Sequence, residues 1–125
     1  MVKSIVSTVL VAVMLTAGAI YETDFVKRQF SEFSTAIECV HEKVDERVAT
    51  EADVYALQAN WLEKKRYLHI FIPHNEIKEI DLWIAESVKL VRDEKWEDAL
   101  SKTEVLKELA EQIPKTFRVS FENIF

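Results

Sequence analysis

Glu38-x-x-His41 is the first spacing in this chain that could hold a metal. Three residues apart on a helix, a carboxylate and an imidazole share one face and reach the same ion. Di-iron helical bundles use this half-motif twice, with two more inward-facing Glu. No second copy occurs here, and a solvated helix face produces the same pair by chance. His69 and His74 straddle Pro73. With His41 they would supply the three ligands that catalytic zinc needs. Nothing in the sequence brings the three together. His74, beside Asn75, reads more simply as a residue at a helix start. Cys39 is the single cysteine and sits between Glu38 and Glu42, a poor setting for a nucleophilic thiolate. It cannot form an internal disulfide. It either bridges two chains or is a small half-buried residue on a helix flank, and the second reading is favoured. The single glycine, Gly18, lies in an apolar stretch, so no glycine-rich loop exists to cradle a phosphate. No serine stands in a glycine-rich elbow. The expectation is a protein that is not an enzyme, with no catalytic residue, no metal and no cofactor.

The elements that carry these residues read as helices. One Gly and two Pro leave too few turn residues for an all-β or α/β chain. Val26, Phe30, Phe33, Ile37, Val40, Val44 and Val48 recur in steps of three and four, one stripe of an amphipathic helix. Thr50-Glu51-Ala52-Asp53 predicts a second helix start, with Thr50 as the cap and acids in the first turn. Its stripe is Val54, Leu57, Trp61, Leu68 and Phe71 or Ile72, with Lys64 and Lys65 on the solvent side. Pro73 ends or kinks that run, and Asn75 is placed to cap the next.

The third stripe is Ile77, Ile80, Ile84, Val88 and Val91, widened by Trp83 and Leu90. Arg92 to Lys95 form a charged connector, with Asp93 as the expected cap of a fourth helix. That helix buries Trp96, Ala99, Leu100, Thr103, Leu106, Leu109 or Ala110, and Ile113, and Pro114 is expected to stop it. Phe117, Val119 and Phe121 then alternate with polar residues, which predicts a short extended tail. Four helices of roughly 18 to 27 residues with short connectors favour an up-down antiparallel bundle. Trp61, Trp83 and Trp96 lie on or beside core stripes, so packing is favoured over a ligand cage. Trp96-x-x-Ala99-Leu100 has a tetratricopeptide flavour, but the glycine turn and ~34-residue period of that repeat are missing.

Ser4 to Tyr21 carry no charge and follow Lys3. Eighteen such residues just span a hydrocarbon core of about 30 Å. Glu22 and Asp24 follow, so the positive end is expected to stay in the cytoplasm, with the rest of the chain outside it. Two readings remain open. The segment is a retained transmembrane or signal anchor, or it is a signal peptide cleaved after Ala19, which would leave the remainder secreted. The anchor is preferred because no Gly or Pro interrupts the pattern between Ile20 and Ile72. The expected organisation is an anchor over 1–21 and a helical domain over 22–125. With 16 Lys and Arg against 22 Asp and Glu, the net charge is −6. A balance of that sign repels nucleic acid, which is not expected as a partner.

Trp61, the Lys64-Lys65 pair, His74 with Glu76-Ile77 and Ile80, Trp96-x-x-Ala99, and the closing Glu122-Asn123-Ile124-Phe125 together resemble the domain-of-unknown-function family 4363. The resemblance runs the length of the chain. It implies a small, membrane-anchored, helical bacterial protein, as in clostridia and their relatives, and it implies no catalytic residue. It also implies a multi-pass membrane protein as a partner, since members often occur beside one. Pro73 before His74 departs from the family pattern. Trp61, Lys65, His74, Trp96, Asn123 and Phe125 are the positions expected to act as partner contacts or as a structural signature.

The function expected is therefore an extracytoplasmic, non-enzymatic interaction module or accessory subunit of a membrane protein. Self-association is left open. The alternative is an extracytoplasmic small-molecule sensor or binding bundle.

Overall fold

The computed structural model describes the backbone of residues 1–124 and the side chains of residues 1–118. Four helices account for it: α1 Val2–Asp45, α2 Glu51–Leu68, α3 His74–Arg92 and α4 Trp96–Ile124. No strand occurs among the described residues. The helices pack in chain order and α4 closes the ring against α1.

Cross-helix contacts fix the directions. Lys43 of α1 meets Asp53 near the start of α2, and Glu32 meets Lys64 near its end. Asp81 of α3 meets Lys65, and Arg92 meets Glu51. His41 faces Thr103 and Glu38 faces Lys107, so α4 runs down as α1 runs up. The bundle is up-down and antiparallel, as the short connectors require.

The core is the four stripes brought together. Val26, Phe30, Phe33, Ile37, Val40 and Val44 of α1 are buried, as are Val54, Leu57, Trp61 and Leu68 of α2. Ile77, Ile80, Ile84, Val88 and Val91 of α3, with Ala99, Leu106, Ala110 and Ile113 of α4, complete it. Trp61 lies tilted against Phe33 at 4.9 Å and approaches Phe30 at 6.4 Å. Near the α2–α3 turn a smaller aromatic chain runs Tyr21–Phe25–Phe71–Phe117.

Two turns reverse the chain without glycine. After α1, the Val48 amide bonds the Lys43 carbonyl at 2.9 Å, and Arg47 takes a left-handed φ of 60°. After α3, the Lys95 amide bonds the Leu90 carbonyl at 2.9 Å, and Glu94 has φ 55°. Both are left-handed helix terminations that usually take Gly. Asp93 therefore ends α3 and does not cap α4. Val48 falls past the end of α1 and is 59% exposed, and Ala49 is buried in its place.

Other local expectations meet their outcome here. Thr50 caps α2 with a full capping box: its hydroxyl takes the Asp53 amide, and the Asp53 carboxylate takes the Thr50 amide at 2.8 Å. Pro73, not Asn75, precedes the first turn of α3, and no side chain caps that helix. Pro114 lies inside α4, which runs helical to Ile124, so the extended tail is not formed. Ile113 is buried and Phe117 packs edge-on against Phe71 at 6.2 Å. That packing offsets the cost of an interior proline, about 3 kcal/mol for the lost bond and ring clash together, and holds the helix on course.

Lys64 is the largest departure from the sequence reading. It sits between Trp61 and Leu68 on the core stripe and is 6% exposed, not solvated.

Candidate functional site

The first half of α1 stands clear of the bundle. Ile5, Val9, Leu10, Val13, Leu15 and Ile20 are all more than half exposed. Its most apolar 18-residue window has a mean hydropathy of 2.0 and buries nothing within the chain. It is the one described helix long and apolar enough to cross a membrane. α1 is continuous from Val2 to Asp45, so the apolar rod and the first core helix of the bundle are one helix. Thr8 and Thr16 fold their hydroxyls back onto the Ser4 and Ala12 carbonyls at 2.8 Å, leaving no free polar group on them.

Within the bundle several titratable groups pair between helices. Lys64 donates to Glu32 at 2.5 Å and to Gln29 at 3.3 Å. The Lys64 ammonium beside it holds the Glu32 carboxyl below its ordinary range. Asp81 takes two donors, Trp61 Nε1 at 2.7 Å and Lys65 Nζ at 2.6 Å. Lys43 bonds Asp53 at 2.8 Å, which pushes the Asp53 carboxyl down and the lysine up. Burial, with Glu79 nearby, pushes the Glu76 carboxyl up.

The residues singled out for chemistry do not converge. His41 Nδ1 pairs with Thr103 Oγ1 at 2.8 Å, and Nε2 lies 3.3 Å from Glu104. Glu38 turns instead to Lys107 at 3.0 Å. His69 contacts its own helix, its Nδ1 3.2 Å from the Lys65 carbonyl. His74 is exposed at the start of α3, on the far side of the turn from His69. No group of three potential metal ligands gathers among the described residues. Cys39 is exposed.

Of the signature positions, Trp61 is core and hydrogen-bonded to Asp81. Lys65 shares that carboxylate. Trp96 opens α4 and packs half-buried on the core. The Asn123 side chain and Phe125 lie outside the described residues.

The model of a domain of unknown function, DUF4363, matches residues 20–124. The chain belongs to the DUF4363 family. The match begins where the apolar segment ends, so the DUF4363 region comprises the bundle and its first core helix. No curated protein and no solved structure matches the chain.

Sequence reasoning missed one constellation in this DUF4363 bundle, the Lys64–Glu32–Gln29 contact. The signal was present. A stripe that jumps from Trp61 straight to Leu68 leaves one core turn empty, and residue 64 or 65 must fill it. Two clefts flank the same end of the molecule. One, of about 430 Å³, lies between α1 and α2 beside Lys64 and Tyr67. Asn60 Oδ1 is buried there without a partner. The other, about 450 Å³, lies between α1 and α4.

Proposed function

We propose that this DUF4363 protein is a single-pass membrane protein. Its bundle, residues 22–125, serves outside the cytoplasm as a non-enzymatic interaction module, an accessory subunit of a multi-pass membrane protein. The observation that carries the reading is the unbroken α1. An apolar rod exposed on every side is continuous with the first core helix. Apolar surface on that scale calls for a hydrocarbon environment. Ser4 to Tyr21 span ~27 Å at 1.5 Å per residue, close to one hydrocarbon core. Lys3 before the rod, with Glu22 and Asp24 after it, favours an outward-facing bundle.

The interaction role is supported by how the ionisable groups are used. Lys43, Lys64, Lys65, Arg92, Lys102 and Lys107 each pair across helices and so serve to fix the bundle's register. A rigid bundle held at a set height above a bilayer suits a subunit that braces a larger membrane protein.

The test uses cells carrying the full chain with a C-terminal tag. Carbonate-washed membranes should retain the chain, and protease added outside should remove the tag. In-cell crosslinking should then recover one dominant multi-pass protein. A chain found free of membranes and beginning at Ile20 would refute the anchor. A retained chain that crosslinks to nothing would refute the accessory-subunit role.

A further inference from the structure

The groove between α1 and α4 gathers positive charge in an acidic protein. Among the described residues that line it, Lys27, Lys115 and Arg118 stand beside one carboxylate, Glu111. Lys27 and Lys115 make no ion pair among the described residues, unlike Lys43, Lys64, Lys65, Lys102 and Lys107 at the helix interfaces. A concave site with excess positive charge concentrates anions, the more so where the rest of the surface is negative.

The other lining groups narrow the class of anion. Ser31 and Ser34 also line the groove, with the buried Phe30 and Ala110. Pro114, also in the lining, has no N–H to give the Ala110 carbonyl. That carbonyl is left short of its helical donor and suits a ligand hydroxyl. Lysines for a phosphate, hydroxyl donors, a spare acceptor and an apolar base fit a polyol phosphodiester attached to something greasy.

Height above the membrane agrees. Lys27 lies six residues beyond Tyr21, ~9 Å along the helix. The headgroup layer is ~5–7 Å thick on each side, and a lysine stem reaches down to it. The contacts of His41 with Thr103 and Glu38 with Lys107 set a register that places Arg118 opposite Lys27.

We propose that the α1–α4 groove binds the phosphate-bearing headgroup of an anionic phospholipid, with Lys27 and Lys115 as its charge contacts. This rests on the membrane reading above. It gives the bundle a second hold on the bilayer, one that fixes its rotation about α1.

The test uses the full chain in a neutral detergent, with bound lipid counted by native mass spectrometry. Phosphatidylglycerol, phosphatidylcholine and soluble glycerol 3-phosphate are the probes. Phosphatidylglycerol should be retained about tenfold more tightly than phosphatidylcholine. The double variant Lys27→Gln, Lys115→Gln should lose that preference, with helicity by circular dichroism unchanged, and Lys27→Arg should keep it. If the double variant does not fold, the wild-type preference between the two lipids decides. Equal retention of the two lipids, or a preference untouched by the double variant, would overturn the proposal. Glycerol 3-phosphate binding as tightly as the lipid would assign the groove to a soluble anion and overturn the lipid source. Headgroup selectivity in a chain that fractionates free of membranes would remove the membrane reading alone. A membrane-retained chain without selectivity would remove the groove proposal alone.

Discussion

Lys64, on the core stripe of α2, places its ammonium 2.5 Å from the Glu32 carboxylate of α1. The lysine side chain is 8% exposed and the glutamate 58%, so the charge comes to the surface on the glutamate side. The lysine stem fills the core turn between Trp61 and Leu68, and its head reaches the Glu32 carboxylate at the rim.

That geometry separates two substitutions. Glu32→Gln removes the counter-charge of a lysine that cannot swing freely into water, and should lower the melting temperature. Lys64→Met keeps the packing without the charge and should stay within about 1 kcal/mol of wild type. The Glu32 carboxyl is held low by Lys64, and Asp53 is held low by Lys43. A carboxylate with a depressed folded pKa stabilises fully above its unfolded pKa, and that stability is lost as pH falls through the folded value. Urea titrations should show these two carboxylates lowering stability below about pH 5, with Glu76, whose carboxyl is pushed up, opposing the fall. The fall should be shallower in Glu32→Gln. Equal slopes would show that the ion pair contributes nothing.

Trp61 carries both packing and a polar contact. Trp61→Ala should cost about 3–5 kcal/mol, because the side chain is buried against Phe30 and Phe33. Trp61→Phe keeps a ring but drops the bond to Asp81, which Lys65 still holds. It should cost less, about 1–2 kcal/mol. Chemical denaturation distinguishes the two. A cost below 1 kcal/mol for alanine would place Trp61 outside the core.

Arg47 and Glu94 take left-handed backbone angles that suit glycine. Arg47→Gly and Glu94→Gly should each stabilise by about 0.5–1 kcal/mol, the relief of side-chain crowding exceeding the added chain entropy. Both residues are exposed, so no packing is lost. A destabilisation in equilibrium unfolding would show that their side chains, and not their backbone angles, matter to the turns.

Pro114 interrupts the hydrogen-bond ladder of α4. Pro114→Ala should restore a donor to the Ala110 carbonyl and stabilise the helix by about 1–3 kcal/mol. The same change should weaken headgroup retention in the α1–α4 groove. Equilibrium unfolding of wild type and variant and the lipid count together check both effects.

The sequence by itself determined the helical class, the four stripes, the Thr50 cap and the apolar rod ahead of Glu22. These depend on spacing within one segment, and a period of 3.6 is legible one helix at a time. It also carried the family resemblance, since the order of Trp61, Lys65, His74 and Trp96 is a property of the chain. The tertiary structure decided how those faces meet. It buried Lys64 beside Glu32, gave Asp81 to both Trp61 and Lys65, and paired Glu38 with Lys107 and His41 with Thr103. It carried α4 through Pro114, because Ile113 and Phe117 had a core to pack on. It placed Lys27 and Lys115, far apart in the chain, in one groove. Such pairings depend on the rotation and register of each helix against its neighbours. Those are set by the joint packing of all four stripes, which no single segment contains.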